Sequence, residues 1–268
     1  MLGNPSNRSY ASTPKLHGHV SNCSQQIVAC QASQQRATVK TMLIAFTNTK
    51  GGVGKSTLAS HLAIWLYDRG YRVALLDADE QQTAARWVGA AEPAMSVVTA
   101  TAMEAIQEAR TSLLSTYDIV VADTPGKESE AARTVTLLCD LAIVPLQPSK
   151  PDLRAIKDAL KNIRLAQEIS GSGRPEAHLV LNLTAKMDVQ TKALRKQLET
   201  AGFPVAQSMV RRLNALRDAC DTSVTRMKQA EGGEAARDID RLFTEVLGDR
   251  LATISRVSQA TTEKAANE

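Results

Sequence analysis

From Met42 onward the chain alternates short continuous apolar runs with longer amphipathic stretches. Leu43-Ile44-Ala45-Phe46, the Arg72–Asp77 segment, Asp118–Asp123, Leu141–Pro145 and His178–Asn182 carry apolar residues without a two-residue alternation, the pattern of strands buried on both faces. Ser96–Thr99 predicts a further strand. Between these runs the spacing predicts helices from about Gly54 to a C′ glycine at Gly70, over Gln81–Val88, Ala102–Leu114, 128–138, Asp152–Ile169 and Val189–Thr200. Strands alternating with helices predict an α/β fold, a mostly parallel sheet with helices on both faces. In such a sheet, ligands bind beyond the carboxyl ends of the strands.

The two ends differ from this middle. Residues 1–41 are rich in Ser, Gln, Asn and Thr with no sustained apolar period, and are expected to be a disordered extension of the domain over 42–268. The folded pattern starts at once at Met42, which is itself a plausible start. Near the other end, Phe243, Val246, Leu247, Leu251 and Ile254 recur at a helical period.

The loop after the first strand carries the chemistry. Thr49-Lys50-Gly51-Gly52-Val53-Gly54-Lys55-Ser56 closes in Gly-Lys-Ser, as a phosphate-binding loop does between a strand and a helix. Gly51, Gly52 and Gly54 let the backbone bring its N–H groups against phosphate oxygens, at a helix start whose first donors lack intrahelical partners. Lys55 would reach the β- and γ-phosphates, and the Ser56 hydroxyl would ligate Mg²⁺. The loop departs from the common pattern twice. Thr49 stands where the first glycine would fall, and Lys50 adds a second cation at the front.

Lys50-Gly51-Gly52-Val53-Gly54-Lys55-Ser56 resembles the deviant Walker A motif of the ParA/MinD ATPases, and the chain is similar to the small, ParF-like partition branch. The resemblance spans about residues 42–230. It implies a P-loop NTPase fold, with ATP and Mg²⁺ as ligands and Gly51, Gly52, Val53, Gly54, Lys55, Ser56 and Thr57 around the phosphates. It also implies that Lys50 crosses a dimer interface to the nucleotide of the other subunit. The residue alone says only that an extra cation lies nearby.

Two further strand ends carry acids. Asp77 and Asp79 lie two residues apart after the second strand, so both side chains turn toward one side. The family's D-x-D-P-Q segment reads D-A-D-E-Q here, with Glu80 in place of proline; the resemblance assigns Asp79 to the attacking water and Mg²⁺. Asp123 ends an apolar strand as a Walker B acid does, where it can hold Mg²⁺ through water. The resemblance places Asn182 against adenine; alone, it is a strand-end turn former. Pro145–Asp152 reads as a rigid proline-bearing loop, similar to the family's segment beside the nucleotide and dimer face.

Charge bears on the partner. The formal net charge is +4, and Arg8, Lys15, Arg36 and Lys40 account for all of it, because the other 28 basic residues match the 28 acids. A local excess remains over 189–228, where eight basic residues face three acids. Arg211, Arg212, Arg217, Arg226 and Lys228 are the candidates there for sequence-independent DNA backbone contacts. The segment 229–268 is net acidic, so its apolar stripe should pack on the domain rather than on anionic lipid, and no stable membrane association is expected. Cys23, Cys30, Cys139 and Cys220 form no C-x-x-C pair, which speaks against a metal-cluster carrier. The resemblance thus implies a cytoplasmic, nucleoid-associated ATPase. It would be a homodimer with ATP that binds nonspecific DNA and is released when a ParB-like adaptor stimulates hydrolysis. A membrane-cycling MinD-like regulator, or a positioning ATPase for a protein assembly or transfer DNA, is the alternative.

Overall fold

The structure is a computed structural model, and it describes residues 41–148, 152–185 and 189–254. The expected disordered extension lies, apart from Thr41, outside the described residues. Seven strands form one sheet: β1 (Met42–Phe46), β2 (Val73–Asp77), β3 (Ser96–Thr99), β4 (Ile119–Asp123), β5 (Leu141–Leu146), β6 (Glu176–Thr184) and β7 (Val205–Arg211). Their order is β3-β2-β4-β1-β5-β6-β7, and every pairing is parallel. The helices are α1 (Lys55–Tyr67), α2 (Thr83–Ala91), α3 (Met103–Thr116), α4 (Glu130–Leu138), α5 (Asp152–Ser170), α6 (Val189–Thr200), α7 (Asn214–Asp218) and α8 (Gln229–Leu251).

Side chains of successive strand residues point to opposite faces, which splits the core in two. Ile44 and Phe46 face α1, α2 and α8, whereas Leu43 and Ala45 face α3, α4, α5 and α6. Each run is therefore apolar throughout because both faces are covered. The apolar stripe of α8 is buried on the first face, with Phe243 and Leu247 fully inaccessible.

Register sets the site. Phe46 pairs with Asp123, and Asp77 pairs with the same residue from the other side. The carboxyl ends of β2, β4 and β1 therefore lie in one row, with the P-loop rising from its β1 end. Helix α1 ends as its sequence foretells: Tyr71 N–H donates to the Leu66 carbonyl and Gly70 N–H to Tyr67, with Gly70 at φ 77°.

Three local expectations are corrected. Helix α2 starts at Thr83, because Gln82 takes φ 51° and interrupts the turn before it. Asn182 does not end its strand, since β6 runs on to Thr184 through Leu183 at φ 54°. Pro145 lies within β5, as the run Leu141–Pro145 predicts, so the proline-bearing loop opens after Leu146 and not at Pro145. The ladder to β1 stops at Phe46↔Ile143, so the missing proline N–H costs no bond there. Strand β7 escapes the sequence pattern, and its free edge is taken by α8: Glu245 accepts from the N–H groups of Gln207 and Ser208 at 2.5 and 2.7 Å. Among the described residues no helix is long and apolar enough to cross a membrane.

Candidate functional site

The P-loop is held from outside by its carbonyls. Asn48 is buried; its Nδ2 donates to the Pro145 carbonyl at 2.9 Å, and its Oδ1 accepts from Lys50 N–H at 3.0 Å. Lys55 Nζ donates to the Lys50 carbonyl at 3.3 Å, Gln147 Nε2 to Gly52 at 3.2 Å and Asn182 Nδ2 to Val53 at 2.7 Å. With those carbonyls occupied, the N–H groups of the loop beyond Lys50 and of the first turn of α1 are the backbone groups left for an anion. Gly52 and Gly54 take φ 73° and 93°, where side chains are strained. Gly126, after β4, is equally constrained, because a Cβ there would lie 2.9 Å from Gly51 Cα.

The loop floors a cavity of about 1060 Å³. Asp79, Glu80 and Gln81 line it from the β2 end, Pro125, Gly126 and Lys127 from β4, and Asn182 and Leu183 from β6. The strained backbone at Leu183 thus sits on the cavity wall, a usual place for such strain.

Its electrostatics suit a bound cation. Asp123 is fully buried, and neither carboxylate oxygen has a hydrogen-bond partner among the described residues. Burial pushes its carboxyl up to about 7; nearby Ser56 and Lys55 favour the charged form, and Asp77 and Asp79 oppose it. Lys55 is 6% exposed and is shifted below the ordinary lysine value by burial, which outweighs the pull of Asp123 and Asp79. Asp77 accepts from the N–H groups of Asp79 and Ala85 at 3.0 and 2.8 Å, a structural role that anchors the start of α2. Asp79 accepts from Gln81 N–H and lines the cavity. Two unpartnered buried oxygens beside a serine hydroxyl fit a hard divalent cation that completes its shell with water and phosphate. Asn182 is 2% exposed, and its Oδ1 is a second buried acceptor with no partner among the described residues.

The five basic candidates divide. Arg211 forks onto Asp238 of α8, Nε to Oδ2 at 2.8 Å and Nη2 to Oδ1 at 3.0 Å. Arg226 engages Asp68 at 3.0 Å and Glu92 at 2.9 Å. These acids lie outside 189–228, so a charge count confined to that segment overstates the local field. Arg212 and Arg217 sit at the mouth of the nucleotide cavity, a placement that sequence reasoning missed. Lys228 is exposed at the start of α8. The missed signal was positional: both arginines follow the seventh strand, whose carboxyl end points to the same crevice.

The sequence pattern of the CobQ/CobB/MinD/ParA nucleotide binding domain matches residues 44–224. The chain belongs to this family. It is 30% identical over 217 residues to maintenance of carboxysome distribution protein A of Halothiobacillus neapolitanus, covering 79% of this chain and 99% of that protein. Its fold is similar to apo McdA of Cyanothece (TM-score 0.61, 14% identity, 77% of this chain and 99% of that one). It is also similar to cobyrinic acid a,c-diamide synthase of Mycobacterium smegmatis, solved with an ATP analogue and magnesium (TM-score 0.57, 20% identity, 76% and 94% covered). The ParA/MinD resemblance of the P-loop and the parallel P-loop fold are both established by these matches and by the topology.

Proposed function

We propose that this ParA/MinD-family chain is an ATPase that positions a large cargo through a nucleotide-controlled dimer. The observation that carries the reading is the buried, unpartnered Asp123 carboxylate beside Lys55 and Ser56, beneath a loop whose carbonyls are tied back. Gly51 to Thr57 cradle the phosphates with backbone N–H groups, and Lys55 neutralises the β- and γ-oxygens. Ser56 and Asp123 would hold Mg²⁺, and Asp79, which lines the same cavity, would orient the attacking water. Mg²⁺ supplies charge neutralisation on the phosphate oxygens when bound. Asn182 Oδ1, left as an acceptor, suits the exocyclic amine of adenine. The magnesium and ATP analogue in the similar synthase support this ligand pair.

Lys50 reaches the nucleotide of a second subunit, so ATP binding makes the dimer and hydrolysis undoes it. The dimer binds nonspecific DNA, and an adaptor protein stimulates hydrolysis and release. Replacing Lys55 by Ala should abolish both hydrolysis and ATP-dependent retention on DNA. Replacing Lys50 by Ala should leave mononucleotide binding in place and remove ATP-dependent dimerisation, measured by sedimentation. DNA retention that persists in Lys55→Ala without ATP would sink the switch. A cargo that is a protein assembly is favoured over a plasmid by the name of the 30%-identical relative, which maintains carboxysome distribution.

A further inference from the structure

On the face of the sheet opposite α8, helices α5 and α6 leave an open groove of about 750 Å³ that the nucleotide chemistry does not use. Its floor is apolar, with Leu160 and Leu198 almost fully buried and Phe203 lining it beside them. The apolar surface continues outward from the groove, for Leu165 and Ile169, one helical turn apart on α5, are 52% and 64% exposed. Exposed apolar groups that join a groove in this way mark an interaction surface more often than a solvated face.

The rim is mainly basic, three cations to one acid. Lys157, Lys161 and Arg164 follow one another along α5 at helical spacing, with Glu168 as the acid lining the same groove. Arg164 lies over the Phe203 ring at 4.8 Å, which fixes its cation at the edge of the apolar floor. From Lys157 to Glu168 the groove edge runs about 16 Å at about 1.5 Å per residue, the length of about three turns of a facing helix.

We propose that this groove binds an acidic amphipathic helix of a partner protein, its apolar stripe on Leu160, Leu165 and Leu198 and its carboxylates on Lys157, Lys161 and Arg164. The charge argument excludes the acid-free residues 1–41 of the chain as the natural occupant, because that segment carries four basic residues and would be repelled. The concave apolar floor disfavours both a DNA backbone, which needs no such floor, and a bilayer, which cannot enter between two helices. The inference rests on the reading above only in taking the protein to act with a partner.

The test selects helical peptides from a displayed library with randomised apolar and charged positions against the full chain, without nucleotide or DNA. Selection is repeated against Leu165→Glu and against the double variant Lys157→Glu/Lys161→Glu. The expected result is enrichment of acid-flanked apolar stripes that bind the wild type and weaken at least tenfold against Leu165→Glu. The double variant should lose those peptides and instead enrich base-flanked ones. No enrichment, enrichment without a charge preference, or peptides indifferent to both variants would overturn the proposal. So would the double variant losing retention on DNA or on anionic vesicles while keeping the peptides, or Leu165→Glu dissolving a self-associated form of the wild type. ATP hydrolysis, measured alongside, is expected to persist at its basal rate in both variants. Its loss from the wild type would instead count against the ATPase reading.

Discussion

Asn182 occupies the space that a side chain at Gly54 would need: a Cβ at position 54 would lie 2.3 Å from Asn182 Nδ2. The same amide donates to the Val53 carbonyl at 2.7 Å, so one β6 side chain both packs against the phosphate loop and sets its backbone. Gly54→Ala should therefore lower nucleotide affinity more than tenfold, read by fluorescence titration. Adding Asn182→Ala should restore only part, because the backbone at φ 93° remains strained for alanine at a cost of about 1 kcal/mol or more.

The Asp123 carboxylate is a cost to the metal-free fold. Its folded value of about 7 lies above the ordinary aspartate value, so the native state holds a proton that the unfolded chain releases, and stability falls as pH rises from about 4 toward 7. Asp123→Asn should raise the metal-free melting temperature at pH 8 by several degrees, on the order of 1–3 kcal/mol. The same variant should lose the further stabilisation that wild type gains from Mg²⁺ and ATP. Differential scanning fluorimetry with and without both ligands checks the two effects together.

His61 gives the opposite sign at lower pH. It is fully inaccessible, bonds Ser223 Oγ through Nδ1 at 3.0 Å, and meets the Trp87 ring edge-on. Burial pushes its imidazole down to about 3. The unfolded chain gains a proton below about pH 6.5 that the folded chain refuses, so stability falls on acidification at up to about 1.4 kcal/mol per pH unit. In urea titrations between pH 7 and pH 5, His61→Leu should show a flatter dependence than wild type.

Arg211 and Arg226 should behave as structural cations. Asp238→Ala should leave the Arg211 guanidinium without its fork and cost about 2–3 kcal/mol, below the full loss for a buried pair because Arg211 is partly exposed. Arg226→Ala, which deserts Asp68 and Glu92, should cost about 1–2 kcal/mol. Measured at equal folded fraction, neither should change the salt slope of DNA binding, whereas Lys228→Ala should reduce it by about one.

Most of the fold was legible because its strands are buried on both faces, which leaves unbroken apolar runs such as Ile119–Ala122. The phosphate loop was legible because few residues satisfy its backbone: Gly52 and Gly54 take the positive φ it requires. What escaped depended on partners distant in sequence. Strand β7 is only partly apolar because α8 completes it, and Arg211 looks like a free cation until Asp238 is folded against it. The nearness of Arg212 and Arg217 to the nucleotide cavity likewise follows from the order of strands, which local pattern does not encode.

The carboxylates that α8 places along β7 have a consequence for assembly. An incoming strand would need the N–H groups of Gln207, Ser208 and Arg211, and Glu245 and Asp238 already hold them. Joining molecules by extending the sheet across this border would first require peeling away a helix of 23 residues. Copies that meet on this side must therefore touch through side chains, in contacts that can form and come apart without any strand changing partners.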